Sequence, residues 1–345
     1  MYIKDLLCIS AQPTYEEGEF EKGVICHEGG IFKAIEPSYA ELIPAGVLRR
    51  MSKIARMGVG VGMPLLKKHT DVEGIIVGTA HGGVDDSMKF LSQIEQYEEG
   101  TLTPTNFVQS TPNSLAGVLS VMSGCDGYNN THVHEGLSFE NALLDAMLYC
   151  EEKDASLLLG AADEISDWNY NIEKQKGFYK NEHTNSATLL ESKTYGSVCG
   201  EGAVMFVVGS RPENSLACVK GVHHLVSEDI EEVKTHLFQF LEKYKISENA
   251  IEMLICGNNG DIRTDGLYSQ LTEGKFSNSG TIAYKHLFGE FPTVSAMAMW
   301  LGVKMLCKTS LPEIINIKPA QREVNNILII NHYMGQQFGF VLLTK

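Results

Sequence analysis

Short, continuous apolar runs alternate with longer amphipathic segments along most of this chain. Runs rich in Val, Ile and Leu occur at residues 74–78, 156–160, 203–208, 218–222, 253–256, 327–331 and 339–343. Runs this short and unbroken are typical of strands buried on both faces of a sheet. Helical patterns fall between them, at residues 48–67, 138–151, 230–244 and 293–307. The alternation predicts a layered α/β architecture, with helices packed against a mostly parallel or mixed sheet.

Composition excludes several classes of partner. The chain has 345 residues, 43% of them hydrophobic, which is enough for one large core or two fused cores. Its formal charge of −15 argues against non-specific binding to nucleic acids or anionic membranes. There is no apolar stretch near the ~18 residues that span a bilayer, and the N-terminus lacks a signal-peptide pattern. Eight scattered cysteines without CxxC spacing fit reduced thiols, so we expect a cytoplasmic protein.

A small basic cluster stands out against this acidic background. Arg49, Arg50, Lys53 and Arg56 are spaced so that they could line part of a helix surface. An acidic protein partner would need such a local patch in order to dock. The other interpretation is a solvated helix face without a partner.

A change in composition at residues 210–215 suggests a join between two parts of the chain. We therefore expect an N-terminal half over residues 1–212 and a C-terminal half over residues 213–345. The charged interval at residues 168–193 is predicted to be a loop excursion from the first half.

Several collinear motifs resemble the β-ketoacyl-[acyl-carrier-protein] synthases. They are Pro104-Thr105-Asn106-Phe107, Ser114-Leu115-Ala116-Gly117, Gly124-Cys125-Asp126-Gly127, the run at 154–164 and Gly200-Glu201-Gly202-Ala203. The resemblance implies a thiolase-like α/β fold, in which two similar halves form a five-layered αβαβα sandwich. It also implies dimerisation, with residues 106–130 near the dimer face.

The residues that carry out catalysis in that family are mostly replaced. The nucleophile position falls between Val133 and Gly136, a window without Cys or Ser. The segment at 254–261, which matches the family's Ala-His-Gly-Thr-Gly-Thr signature, contains no His. In the segment that resembles Lys-x-x-x-Gly-His, Lys285 and Gly289 are kept and Glu290 stands where the second His would fall. Of the family's Asn-Ser-Phe-Gly-Phe-Gly-Gly loop, Asn331 and the aromatic Tyr333 persist.

This pattern resembles the non-catalytic partner of a heterodimeric ketosynthase, called a chain-length factor. Residues 138–146 also resemble the ketosynthase-like proteins of aryl-polyene and flexirubin pigment pathways. The resemblance implies an active ketosynthase subunit and an acyl carrier protein as partners. A remnant pocket would contain His134, Lys285 and Glu290, with Val133, Glu135, Tyr333 and Met334 contacting an acyl group.

Whether any catalysis remains is left open by the sequence. One alternative is an enzyme that uses His134, Lys285 and Glu290 to act on an acyl thioester without a covalent cysteine intermediate. Another is a homodimeric binding protein that has lost catalysis. Turnover by the purified chain alone distinguishes the enzyme from the other two.

Two other patterns have competing interpretations. His132 and His134 with Glu135 could be metal ligands, but spacing identifies no third ligand, so we expect hydrogen-bonded histidines and no metal or other cofactor. The glycines at 58, 60 and 62 fail the GxGxxG spacing and follow a helical pattern. They are better explained by close helix packing than by a dinucleotide loop.

Lys285 and Glu290 admit two arrangements. A buried ammonium is costly alone and tolerable beside a carboxylate, which predicts a buried ion pair. Alternatively, Lys285 faces solvent and Glu290 caps a helix whose first turn contains Pro292. We favour the pair because Gly289 keeps the family's turn between the two residues.

Overall fold

The computed structural model describes residues 1–102 and 104–345. The strands are β1 (Tyr2–Ile9), β2 (Ile31–Phe32), β3 (Gly74–Gly78), β4 (Tyr128–His132), β5 (Ser156–Asp163), β6 (Cys199–Gly200), β7 (Gly202–Gly209), β8 (Ala217–Val226), β9 (Met253–Cys256), β10 (Gly280–Ala283), β11 (Asn316–Lys318), β12 (Asn326–Tyr333) and β13 (Gln337–Thr344). The helices are α1 (Glu19–Lys22), α2 (Ala45–Leu48), α3 (Lys53–Lys68), α4 (Val84–Gln96), α5 (Pro104–Gln109), α6 (Ser114–Ser123), α7 (Ser138–Glu152), α8 (Asp167–Gln175), α9 (Ile230–Lys243), α10 (Asp265–Thr272), α11 (Lys285–Phe288) and α12 (Ser295–Leu306).

Two halves with the same strand pattern make up the main sheet. Within the described ranges, its order is β11-β10-β9-β12-β13-β8-β1-β7-β5-β3-β4. In the first half β4, β3 and β5 run parallel, and β7 and β1 follow as antiparallel neighbours. In the second half β10, β9 and β12 run parallel, and β13 and β8 follow in the same way. The halves meet where Tyr2 and Ile3 of β1 pair with Cys218 and Ala217 of β8.

Helices form three layers, one on the outer side of each half of the sheet and one between the two halves. On the outer side of the first half, α3 and α6 bury residues such as Met57 and Leu119. Between the halves, α7 and α12 bury Phe139 and Trp300 in the largest core cluster. On the outer side of the second half, α9 and α10 pack over β9, β12 and β13. The predicted five-layered sandwich of two similar halves is confirmed. The loop between β7 and β8 contains the proposed boundary at 212 and 213.

The glycines of α3 allow close packing against α6, as the sequence indicated. A Cβ at Gly58 would lie 2.5 Å from Leu115 Cδ1, and one at Gly62 would lie 2.7 Å from Leu119 Cδ2. The two helices could not approach this closely with larger residues at these positions. Therefore the dinucleotide-loop interpretation of this glycine series is set aside.

Two predicted elements differ from the structure. The loop predicted over residues 168–193 contains α8, whose first turn is capped by Ser166 Oγ accepting a hydrogen bond from the Trp168 backbone N–H. The capping bond satisfies an otherwise free amide and favours a helix in a polar segment. The helix predicted over residues 48–67 begins instead at Lys53, because Leu48 ends the short helix α2 and Ser52 at the N-cap of α3 has extended backbone angles. Within the described residues, no helix is long and apolar enough to cross a membrane.

The middle layer contains a buried carboxyl group. Glu140, in the first turn of α7, is 0% exposed. Neither carboxylate oxygen has a well-formed hydrogen bond to any described residue. Burial raises the pKa of Glu140 to about 7, although Ser295 and the Lys285 ammonium oppose the shift. The folded chain therefore holds this proton more tightly than the unfolded chain does.

This raised pKa makes stability depend on pH in a definite direction. Stability linked to Glu140 is fully present below its unfolded pKa of about 4.3 and is lost as the pH rises through about 7. Glu140→Gln removes the ionisation. We therefore expect the free energy of unfolding of the variant, minus that of the wild type, to rise by up to about 3 kcal/mol from pH 5 to pH 8.5. Urea denaturation at both pH values measures this gain. Glu152→Gln, on the exposed end of the same helix, is the control. If Glu140→Gln and the wild type differed in free energy of unfolding by the same amount at both pH values, the prediction would be contradicted.

Candidate functional site

A cavity of about 190 Å³, lined by both polar and apolar side chains, lies at the carboxyl ends of β9 and β12. In α/β proteins the carboxyl ends of parallel strands are a common location for ligand sites. Three segments of the second half and one of the first half surround the cavity. Its walls are Phe178, Tyr179, Asn259, Asp261, Arg263, Thr264, Glu290, His332, Tyr333 and Met334.

The predicted ion pair is present beside this cavity. Lys285 Nζ lies 2.9 Å from Glu290 Oε2, and the two side chains are 0% and 9% exposed. Lys285 also donates to the backbone oxygen of His332 at 2.8 Å, and Asn259 Nδ2 donates to Glu290 Oε2 at 2.7 Å. The structure thus confirms the pair and rules out a solvent-facing Lys285. Burial raises the pKa of Glu290, and the Lys285 ammonium partly offsets that rise.

Local backbone geometry brings these groups together. Lys285 begins the short helix α11, and Gly289 after it has a φ of +80°. A Cβ at Gly289 would lie 2.5 Å from the Cα of Gly200, so both the left-handed φ and the close approach favour glycine. This turn directs Glu290 back towards Lys285, which explains why retention of Gly289 predicted the pair.

The segment that should hold the nucleophile forms a strand, a tight turn and a helix. After β4, Glu135 has a φ of +46°, and a 3-10 turn leads directly into α7. Gly136 is buried in this turn, and a Cβ added to it would overlap the Cβ of Tyr333. Tyr333 is held in place because its hydroxyl donates to Glu173 Oε1 at 3.3 Å. Its side chain leaves no room for a side chain at position 136.

The structure separates the predicted site residues into two groups. Glu290, Tyr333 and Met334 line the cavity, and Lys285 bonds to Glu290. His134, Val133 and Glu135 are exposed on the outer side of the turn. His134 Nδ1 accepts from Asn141 Nδ2 at 3.3 Å, and Glu135 Oε2 accepts from Gln337 Nε2 at 2.7 Å. His134 is therefore not placed to act with Lys285 and Glu290.

The other candidate residues have identifiable partners. His132 Nε2 bonds to Asp145 Oδ2 at 2.8 Å, so the imidazoles of His132 and His134 are held by different residues. Glu201 accepts hydrogen bonds from the backbone N–H groups of Ala34 and Ile165, and so holds two separate segments together.

Two members of the basic cluster are used within the fold. Lys53 pairs with Glu201, and Arg56 pairs with Glu36. Arg49 and Arg50 remain exposed, and together with Lys89 they border an open groove.

Sequence reasoning missed Glu173 and the Arg263–Asp261 pair. Glu173 Oε2 accepts from the Tyr179 hydroxyl at 2.5 Å, and its Oε1 accepts from Tyr333. Glu173 lies on α8, in the interval predicted to be a loop, so no sequence signal placed it beside the site. Arg263 and Asp261 form an ion pair at the wall of the cavity, in the segment that follows β9.

Comparisons with known proteins agree with this architecture. The family described as beta-ketoacyl synthase, N-terminal domain, matches residues 30–210. No curated protein sequence matches the chain significantly. A solved β-ketoacyl synthase from Burkholderia phymatum STM815 is 16% identical and superposes with a TM-score of 0.82, covering 100% of this chain and 98% of that one.

Two solved complexes are also similar. The structure of the ketosynthase ApeO with its chain length factor ApeC, from Xenorhabdus doucetiae, has a TM-score of 0.78 at 15% identity, covering 99% of this chain and 97% of that one. The AntDE:AntF structure, a type II PKS acyl-carrier protein with its ketosynthase, has a TM-score of 0.75 at 17% identity, covering 99% and 98%. Identities this low establish the fold alone, and that fold is the predicted thiolase-like one.

The buried pair provides a direct test of the site's electrostatics. We expect Glu290→Gln to lower the free energy of unfolding by ~3–5 kcal/mol, because it strands the Lys285 ammonium in the interior. Adding Lys285→Met should recover part of that loss, and urea denaturation of the two single variants and the double variant measures the coupling.

The control is an exposed pair. Glu323 lies 2.7 Å from Lys308, with side chains 59% and 66% exposed, so Glu323→Gln should change stability very little. If Glu290→Gln proved as harmless as Glu323→Gln, the buried pair would not be the electrostatic unit described here.

Proposed function

The chain belongs to the β-ketoacyl synthase family, and we propose that it is a non-catalytic partner subunit of an active β-ketoacyl-[acyl-carrier-protein] synthase, of the chain-length-factor kind. The single observation that carries the proposal is the contact between Gly136 and Tyr333. A ketosynthase must hold its acyl chain on a thiolate. Here the turn at residues 133–136 has neither a thiol nor a hydroxyl, and Tyr333 fills the space beside Gly136.

The polar groups of the cavity support the same conclusion. Decarboxylation of a malonyl thioester needs hydrogen-bond donors aimed at the developing enolate oxygen. The family provides imidazoles at two of these positions, whereas here Asn259 is bonded to Glu290 and Glu290 is bonded to Lys285. A carboxylate accepts hydrogen bonds and repels an oxyanion. This site is therefore poorly suited to the chemistry of an active ketosynthase.

An apolar face at one edge of the sheet supports assembly with a partner. In the part of the chain that the structure describes, β4 is the last strand of the sheet, with α6 on one side and α7 on the other. Exposed apolar side chains surround this edge, with Val121 85%, Tyr128 36%, Leu144 36% and Leu148 52% exposed. An edge strand flanked by apolar groups favours pairing with another chain. We propose that this face binds an active ketosynthase, and a second copy of the chain is the alternative occupant.

The acyl carrier protein would dock through the remaining basic residues. Arg49 and Arg50 border one groove, where they offset the overall charge of −15, and Lys89 of the same groove is paired with Asp86. We propose that the chain acts in a cytoplasmic fatty-acid, polyketide or polyene pathway. This proposal rests on the resemblance to proteins of aryl-polyene and flexirubin pathways. If the carrier protein still bound the Arg49→Glu/Arg50→Glu double variant, this groove would not be its docking site.

One observation favours an enzyme of altered chemistry as the alternative. Glu290 lines an open cavity and is bonded to a buried lysine, an arrangement that could position an acyl thioester. The exposed position of His134 leaves that enzyme without the third group that the sequence assigned to it.

Assembly through the β4 edge can be tested by placing a charge on it. We expect Leu148→Asp to prevent the complex with a co-expressed ketosynthase of the same source organism, because a carboxylate would be buried at the interface. Size-exclusion chromatography with light scattering measures the assembly. Ile317→Asp is the matched control, since Ile317 is 53% exposed on β11 at the opposite end of the sheet. If the complex persisted with Leu148→Asp and was lost with Ile317→Asp, the partner would occupy the other edge.

A further inference from the structure

We propose that the cavity beside Glu290 binds a small neutral molecule through a hydroxyl or carboxamide group, and that it disfavours carboxylates. The inference builds on the proposed function, because a subunit that carries no acyl group leaves this cavity free for a ligand that is bound and not consumed. It rests on three buried, unbonded polar atoms of residues that line the cavity, and on the charges around them.

The first atom is a hydrogen-bond donor. His332 is 1% exposed, and its Nδ1 accepts from the Gly335 backbone N–H at 3.3 Å, which assigns the ring proton to Nε2. Nε2 is buried and has no partner among the described residues. Burial lowers the pKa of His332 to about 3, so the ring is neutral and carries a single N–H.

The second atom is an acceptor. Glu290 Oε2 receives hydrogen bonds from both Lys285 and Asn259. Its Oε1 is buried and, within residues 1–102 and 104–345, receives none. The third atom, Thr264 Oγ1, is buried in the same wall and is likewise unbonded over the described ranges. Buried polar atoms are rarely left unpaired, so a ligand or ordered water is expected to complete them.

The size of the cavity favours a ligand of several atoms. A water molecule needs ~10–15 Å³ in the same measure of volume. The cavity has about 190 Å³, well above what is needed to hydrate three atoms.

Charge then selects the chemistry of the ligand. Lys285 is balanced by Glu290, and Arg263 at the wall is balanced by Asp261. A carboxylate would be placed beside Glu290 Oε1 and repelled, and an ammonium would meet the Nε2–H of His332. A hydroxyl or a carboxamide can donate to Glu290 and accept from His332 at once, whereas a pocket with two imidazole donors would favour an anion.

The test compares two molecules of the same shape. 3-Hydroxybutanamide and 3-hydroxybutanoate differ in charge, and their affinities are measured at pH 7 by ligand-observed NMR titration and calorimetry. We expect the amide to bind at least about tenfold more tightly, because the carboxylate faces a buried acid without a free cation. Equal affinity, or tighter binding of the carboxylate, would overturn the proposal.

Variants locate the binding. Thr264→Val and His332→Phe each remove one unpaired group and keep the approximate shape, so both should weaken amide binding at least about fivefold. Thr264→Val should leave the melting temperature unchanged. Thr235→Val, which removes an exposed hydroxyl of α9, is the control and should bind like the wild type.

Binding that survives Thr264→Val unchanged would place the ligand elsewhere and refute the inference. If His332→Phe does not fold, Thr264→Val decides alone. Assembly with a ketosynthase is measured separately by light scattering. A chain that assembles without binding the amide contradicts this inference alone, and one that binds the amide without assembling contradicts the proposed function alone.

Discussion

The packing of Tyr333 against Gly136 is the contact on which the rest of the site depends. Gly136 belongs to the turn between β4 and α7 in the first half of the chain, and Tyr333 ends β12 in the second half. Their contact joins the two halves at the turn that we propose stands in place of a ketosynthase nucleophile. A side chain at position 136 would displace the ring of Tyr333 and disturb its hydrogen bond to Glu173. The absence of a side chain at position 136 is therefore part of the packing between the two halves of this chain.

The changes in the cavity are consistent with one another. With Glu290 in place of an imidazole, Lys285 gains a buried counter-ion, and Asn259 donates to the same carboxylate oxygen. A lone buried charge is strongly destabilising, so such substitutions are expected to occur together. Lys285 therefore has a structural role in this chain, as the buried counter-ion of Glu290.

Sequence patterns predicted the features that depend on local spacing. The strands were recognisable because runs buried on both faces are continuously apolar, and the α3 glycines fit close helix packing because the segment before them had helical periodicity. The Lys285–Glu290 pair followed from the retained turn at Gly289. These inferences needed only residues that are near one another in the chain.

Features that depend on distant contacts could not be predicted in this way. Glu135 has a positive φ next to the exposed His134, and the residue type at position 135 does not indicate that conformation. Glu173 reaches Tyr333 across 160 residues of sequence, from a helix in an interval that appeared to be a loop. The wall of the cavity was incompletely predicted because it is assembled from segments far apart in the chain.

The most direct measurement is turnover of an acyl-carrier thioester by the purified chain, alone and mixed with an active ketosynthase. We predict no condensation and no decarboxylation by the chain alone, extended products with the mixture, and an acyl adduct found by mass spectrometry on the ketosynthase. Turnover by the chain alone that is lost in Glu290→Gln, or a stoichiometric acyl adduct within residues 132–139, would contradict the account.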